Sequence, residues 1–180
     1  MRKLAPLLIL LPLAVLGLAA APAAPPALGR PATPDEVARA DISIDPSGAG
    51  LPKGSGSVAQ GAAIYTAKCQ SCHGANGAGG PADRLTGGLG SLATKAPIKT
   101  VNSFWPYATT VFDYTRRAMP VTAPQSLSAD EAYALTAYML SVDGVVPKDA
   151  VLDQDSLPKV QMPNRDGFVS YLKASLRTKR

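Results

Sequence analysis

The stretch Gly61-x-x-x-Tyr65-x-x-x-Cys69-Gln70-Ser71-Cys72-His73-Gly74 decides how the chain is read, because it holds both cysteines and the sole histidine of the 180 residues. A disulfide between Cys69 and Cys72 would close too small a loop to restrict the unfolded chain much. The pair needs another use. A thioredoxin-like redox pair requires a strand before the motif and a helix after it, whereas the helical spacing here lies upstream. A structural zinc site requires four ligands, and no second cysteine pair or further histidine supplies them. Ser57 and Gln60 stand at capping-box spacing, and Val58, Ala62, Tyr65 and Cys69 follow at helical intervals. The helix they predict delivers both thiols and the imidazole to one place.

Cys-x-x-Cys-His is the attachment spacing of a covalently bound haem. Two thiols add across the two vinyl groups of one haem c, and the adjacent imidazole of His73 is thereby set against the iron. With no second histidine, ligation by two imidazoles from this chain is excluded. The other axial position is open to Met, Lys, water or nothing. Met139 lies on the apolar stripe of a predicted helix, where methionine is more often core filler. Met119 and Met162 each precede a proline, in loops that can present a thioether. A soft thioether opposite histidine favours the reduced metal and raises the potential, which suits an electron acceptor.

Outward from the motif, the N-terminus reads as an export signal, residues 1–23. Arg2 and Lys3 precede an apolar run from Leu4 to Leu18, and Ala21-Pro22-Ala23 offers a cleavage site. The alternative is a retained anchor. The run falls short of the roughly 20 apolar residues that cross a bilayer, and Pro6 and Pro12 interrupt it. We expect a periplasmic protein with no transmembrane span after cleavage. The formal charge is +5, of which Arg2 and Lys3 leave with the leader. No basic face interleaved with aromatics remains for nucleic acid.

Residues 24–56, rich in Pro and Gly, read as an extended arm with contact residues at Ile42 and Ile44. Residues 57–144 carry the haem domain, and 145–180 a C-terminal wrap and basic tail. Within the domain, residues 74–102 read as irregular. A helix is expected from Pro106 to before Pro120, with Tyr107, Val111, Tyr114 and Ala118 sharing a face. Another runs from the capping pair Ser128 and Glu131 to about Ser141, burying Ala132, Leu135, Tyr138 and Met139. A short helix is expected over 167–176. No strands and no internal repeat are expected, so the fold class is all-α.

From Gly61 to Met119 and on through Tyr138, the chain resembles class I cytochromes c. In that family the first and last helices cross closely, a glycine and an aromatic meeting an aromatic, and Gly61, Tyr65 and Tyr138 match. Met119-Pro120 followed by Leu127-Ser128-Ala129-Asp130-Glu131 is similar to the family's methionine loop and final helix. The resemblance therefore favours Met119 over Met162 as the second metal ligand beside His73. Ser103-Phe104-Trp105-Pro106-Tyr107-Ala108-Thr109-Thr110, Phe112-Asp113-Tyr114-x-Arg116-Arg117-Ala118-Met119-Pro120 and Met162-Pro163-Asn164-Arg165-Asp166-Gly167-Phe168 narrow it further. They are similar to cytochrome subunits of sulfite and sulfane-sulfur dehydrogenases.

That likeness implies a molybdoenzyme catalytic subunit as donor and a downstream cytochrome c or terminal oxidase as acceptor. Within these segments Trp105, Tyr107 and Arg117 stand out. Trp and Tyr often pack in cores with a polar tip satisfied, and the functional alternative is that Trp105 or Arg117 donates to a haem propionate, tuning the potential. Only one attachment motif is present, so the single-haem form fits. No general acid, base or nucleophile constellation is visible, and the expected role is electron transfer by a non-enzymatic chain. A freely diffusing respiratory carrier is the rival reading. A haem enzyme such as a peroxidase is another, and it would need an exchangeable sixth position.

Overall fold

The computed structural model describes residues 29–170. The expected leader and most of the expected 167–176 helix lie outside those residues, and 167–170 form no helix.

The described residues form six α-helices. Helix α1 spans Pro34–Ala40, α2 Val58–Lys68, α3 Gln70–His73, α4 Val101–Phe104, α5 Ala108–Ala118 and α6 Ala129–Val142. Helix α2 begins where its caps require. The Ser57 hydroxyl accepts from Gln60 N–H at 3.2 Å, and Gln60 Oε1 accepts from Ser57 N–H at 2.9 Å. Two otherwise unpartnered amides of the first turn are thereby satisfied. Ser128 and Glu131 open α6 in the same way.

Helices α2 and α6 cross at Gly61. A Cβ there would collide with the Ala134 carbonyl and with Tyr138 Cβ, so the glycine is required by the approach of two backbones. Tyr65 and Tyr138 meet across the same crossing, ring centroids 5.1 Å apart, and Lys68 pairs with Glu131 at 2.5 Å. Gly61→Ala should destabilise the fold by about 2 kcal/mol: overpacking costs about 1–3 kcal/mol and outweighs the helix-propensity gain of at most ~1 kcal/mol. Chemical denaturation checks this, with an unchanged midpoint contradicting the close crossing.

The main core lies where α5 packs on α6. Phe112 and Tyr133 stack there at 4.4 Å between centroids, joined by Val111, Ala137, Leu140, Leu152, Leu157 and Met162. Four expectations need correction. Helix α5 starts at Ala108 and buries Ala108, Thr109, Val111, Phe112 and Thr115. Its expected face was rotated, for Tyr114 is 49% exposed. Residues 74–102 include the start of α4, whose Thr100 hydroxyl caps Ser103 N–H at 3.1 Å. The arm contains α1, with Thr33 and Glu36 as its capping box and Pro34 in the first turn. Lastly, a small antiparallel sheet forms between β1, Ser55–Ser57, and β2, Val151–Asp153.

The arm is docked by its own backbone. Ile42 O accepts from Arg117 Nη2 at 3.3 Å, Pro46 O from the Thr109 hydroxyl at 3.4 Å and Pro52 O from the Tyr133 hydroxyl at 2.9 Å. Ile44 packs on the main core. At the far end, Asn164 Nδ2 donates to Phe104 O at 2.7 Å, and the Arg165 guanidinium lies 5.2 Å from the Tyr107 ring centroid. The described parts of arm and wrap thus pack over α4 to α6.

Candidate functional site

Helix α2 ends at Cys69, and the chain turns once through α3 to His73. Gly74 follows with φ 74°, in the left-handed region where a Cβ is penalised. Tyr65, buried in the helix crossing, donates its hydroxyl to Gly74 O at 2.9 Å and so fixes the end of the turn. Burial pushes the Tyr65 phenol up to about 12. Cys69 and Cys72 are both free. Burial also raises the Cys69 thiol, partly offset by nearby Lys68.

His73 Nδ1 lies 2.8 Å from Asp83 O. A carbonyl only accepts, so Nδ1 is the donor, and in the neutral ring Nε2 is then the nitrogen with the lone pair. This is the arrangement in which a histidine is oriented by its other nitrogen before binding a metal. Asp83 belongs to a loop held by amides, with Leu85 and Thr86 N–H both donating to Gly77 O at 2.8 and 3.2 Å. The Thr86 hydroxyl donates to Asn76 O at 2.7 Å, and Tyr138 donates to Asn76 Oδ1 at 3.0 Å.

The three methionines beyond Met1 are separated by burial. Met162 is 3% exposed within the main core, and Met139 is buried there too. Met119 caps the end of α5, its N–H donating to Thr115 O at 3.1 Å, and its side chain is half-buried. Of the three it alone lies outside the buried core.

Trp105 closes α4 and meets Tyr114 edge-on at 5.6 Å. Its indole N–H makes no hydrogen bond to another described residue. Arg117 is differently engaged. Its Nη2 lies 2.6 Å from Asp113 Oδ1 and 3.3 Å from Ile42 O, and the ion pair raises the guanidinium further. Sequence reasoning did not reveal this tie between α5 and the arm, although the four-residue spacing of Asp113 and Arg117 signals the ion pair.

The residues present fit a covalently held haem. Both thiols are free, the imidazole is oriented through its Nδ1 hydrogen bond, and large apolar side chains remain exposed along the chain between His73 and Met119. Leu89 is 44% and Ile98 38% exposed. Buried apolar area is the main stabiliser of such a fold, and a flat apolar macrocycle would supply it. Among the described residues no cluster of three or more His, Cys, Asp or Glu side chains gathers to hold a metal. No helix among them is long and apolar enough to cross a membrane.

Comparison with known proteins agrees with this chemistry. Residues 56–139 match the family described as cytochrome c oxidase, cbb3-type, subunit III. Among solved structures, the chain is similar to one in the crystal structure of the sulfane dehydrogenase SoxCD from Paracoccus pantotrophus. Identity is 40% and the TM-score 0.75, with 87% of this chain and 79% of that chain covered. No curated protein matches.

Proposed function

The chain belongs to the class I c-type cytochromes, and from that membership we propose that it is the monohaem electron-transfer subunit of a molybdenum-dependent sulfite or sulfane-sulfur dehydrogenase. Haem c supplies reversible one-electron chemistry at its iron when bound. In this reading Cys69 and Cys72 would hold the group covalently, and His73 Nε2 and the Met119 sulfur would bind its iron. Trp105, with its indole N–H uncommitted, is the better propionate donor, since Arg117 is largely spent on Asp113 and Ile42. The work is done in the periplasm once the leader is removed, with electrons passing on to a cytochrome c or terminal oxidase.

The observation that carries the proposal is the similarity to a sulfane dehydrogenase chain over most of both lengths. The docked arm and C-terminal wrap agree with it, since they widen the surface beyond what a haem domain needs. The test is reconstitution. Mixed with a molybdenum-containing sulfite or sulfane dehydrogenase subunit, the holo-protein should co-elute with it, and its haem should be reduced when sulfite or thiosulfate is added. A chain that stays monomeric and oxidised under those conditions overturns the proposal. A second reading, a diffusing carrier that feeds a respiratory oxidase, is favoured by the oxidase description of the matched family. It predicts fast haem oxidation by such an oxidase with no stable complex to any dehydrogenase.

A further inference from the structure

We propose that Asp143 is a positioning residue for the His73 imidazole, acting through the loop that carries Asp83. Asp143 caps the C-terminus of α6, where helix carbonyls make a carboxylate unfavourable and a cation favourable. A local rule broken at one position points to a use elsewhere. Its Oδ2 accepts from Gly87 N–H at 2.6 Å and from Asn102 Nδ2 at 2.7 Å. Gly87 is clamped from the other side as well, its carbonyl accepting from the Thr100 hydroxyl at 2.8 Å. One carboxylate therefore ties α6, α4 and the 83–88 loop together.

Asn102 shows how strongly that tie is imposed. Fully buried, it gives both Nδ2 protons to acceptors, Met139 O at 2.9 Å and Asp143 Oδ2. Turning the amide over would set its oxygen against those same acceptors, so the orientation is fixed. Its Oδ1 is left buried with no partner among the described residues. The bond to Asp143 prevails over the amide's own satisfaction.

The loop runs back four residues from Gly87 to Asp83, whose carbonyl accepts the His73 Nδ1 proton. Between them, the Leu85 and Thr86 amides are fastened to Gly77 O. The segment that presents the Asp83 carbonyl is thus braced twice, on Gly77 through Leu85 and Thr86 and on Asp143 through Gly87, and on our proposal losing the second brace loosens that carbonyl. Slackening the Nδ1–H···O bond makes the imidazole a weaker donor, which disfavours the ferric state and raises the midpoint potential.

The inference rests on His73 being an axial ligand, and the experiment separates the two. Holo-protein in the ferrous state is studied by NMR for solvent exchange of the His73 Nδ1 proton, alongside potentiometry. Asp143→Asn removes the charge and keeps an acceptor oxygen, whereas Asp143→Ala removes both. The Ala variant should exchange about tenfold faster than the Asn variant, the factor corresponding to the net worth of one hydrogen bond, and show the higher potential. Equal exchange and equal potential in the two variants overturn the positioning role, even where both lose thermal stability. If the Ala variant fails to mature, Asp143→Ser, too short to span both donors, is read against the same two outcomes. A parent protein with no ligand-shifted histidine ring proton overturns the reading of His73 itself.

Discussion

Cells equipped to attach haem should return the Cys69→Ala/Cys72→Ala double variant as a colourless polypeptide at its bare mass, whereas the parent emerges coloured and heavier by one haem. The two thiols are the only cysteines of the chain, so nothing else can form the thioether bonds. The loss is structural as well as chromophoric. Leu89, Ile98 and Tyr114 are among the large apolar side chains the polypeptide leaves exposed. Covering the exposed part of three half-buried side chains contributes on the order of 1 kcal/mol each, a sizeable fraction of the total stability of a small domain. Mass spectrometry and thermal unfolding check both halves. A double variant that still carries covalent haem would refute the attachment site.

Met119→Ala should abolish the long-wavelength sulfur-to-iron absorption band and lower the midpoint potential by on the order of 0.2 V, a fraction of the ~0.8 V that axial ligands command. The direction follows from softness: a thioether stabilises the reduced metal, and water or hydroxide in its place does not. Met162→Ala is the informative counterpart. At 3% exposure in the main core, Met162 should behave as packing, so its loss costs about 2–5 kcal/mol of stability while the band persists. A band that survives Met119→Ala and disappears in Met162→Ala would reverse the assignment. Absorption spectroscopy and potentiometry on the two variants decide it.

The elements legible in the sequence are those whose signals are complete within a few residues. The Ser57–Gln60 and Ser128–Glu131 boxes marked the starts of α2 and α6 because each cap is satisfied by its own third residue. The same logic lay unused at Thr33-Pro34-Asp35-Glu36, where surrounding prolines and glycines suggested an irregular arm although a full capping signature was present. Helix α4 was hidden for another reason. Its box pairs Thr100 with Ser103, outside the usual Glu or Gln, and four residues are too few to show a period. The face of α5 was misjudged because Tyr114 looked like core. Its ring instead meets Trp105 edge-on while remaining half exposed.

The sequence by itself determined the chemistry: two thiols and an imidazole at fixed spacing, on a helix that its own caps begin. Spacing along a chain is covalent, so it survives any arrangement of the rest. Tertiary structure alone decided what depends on distant residues meeting. It buried Met162 and left Met119 outside the core, bound Arg117 to the arm at Ile42, paired β1 with β2 across nearly a hundred residues of chain, and brought Asp143 to Gly87. Those contacts form only when backbone groups that no local partner satisfies find one elsewhere in the fold.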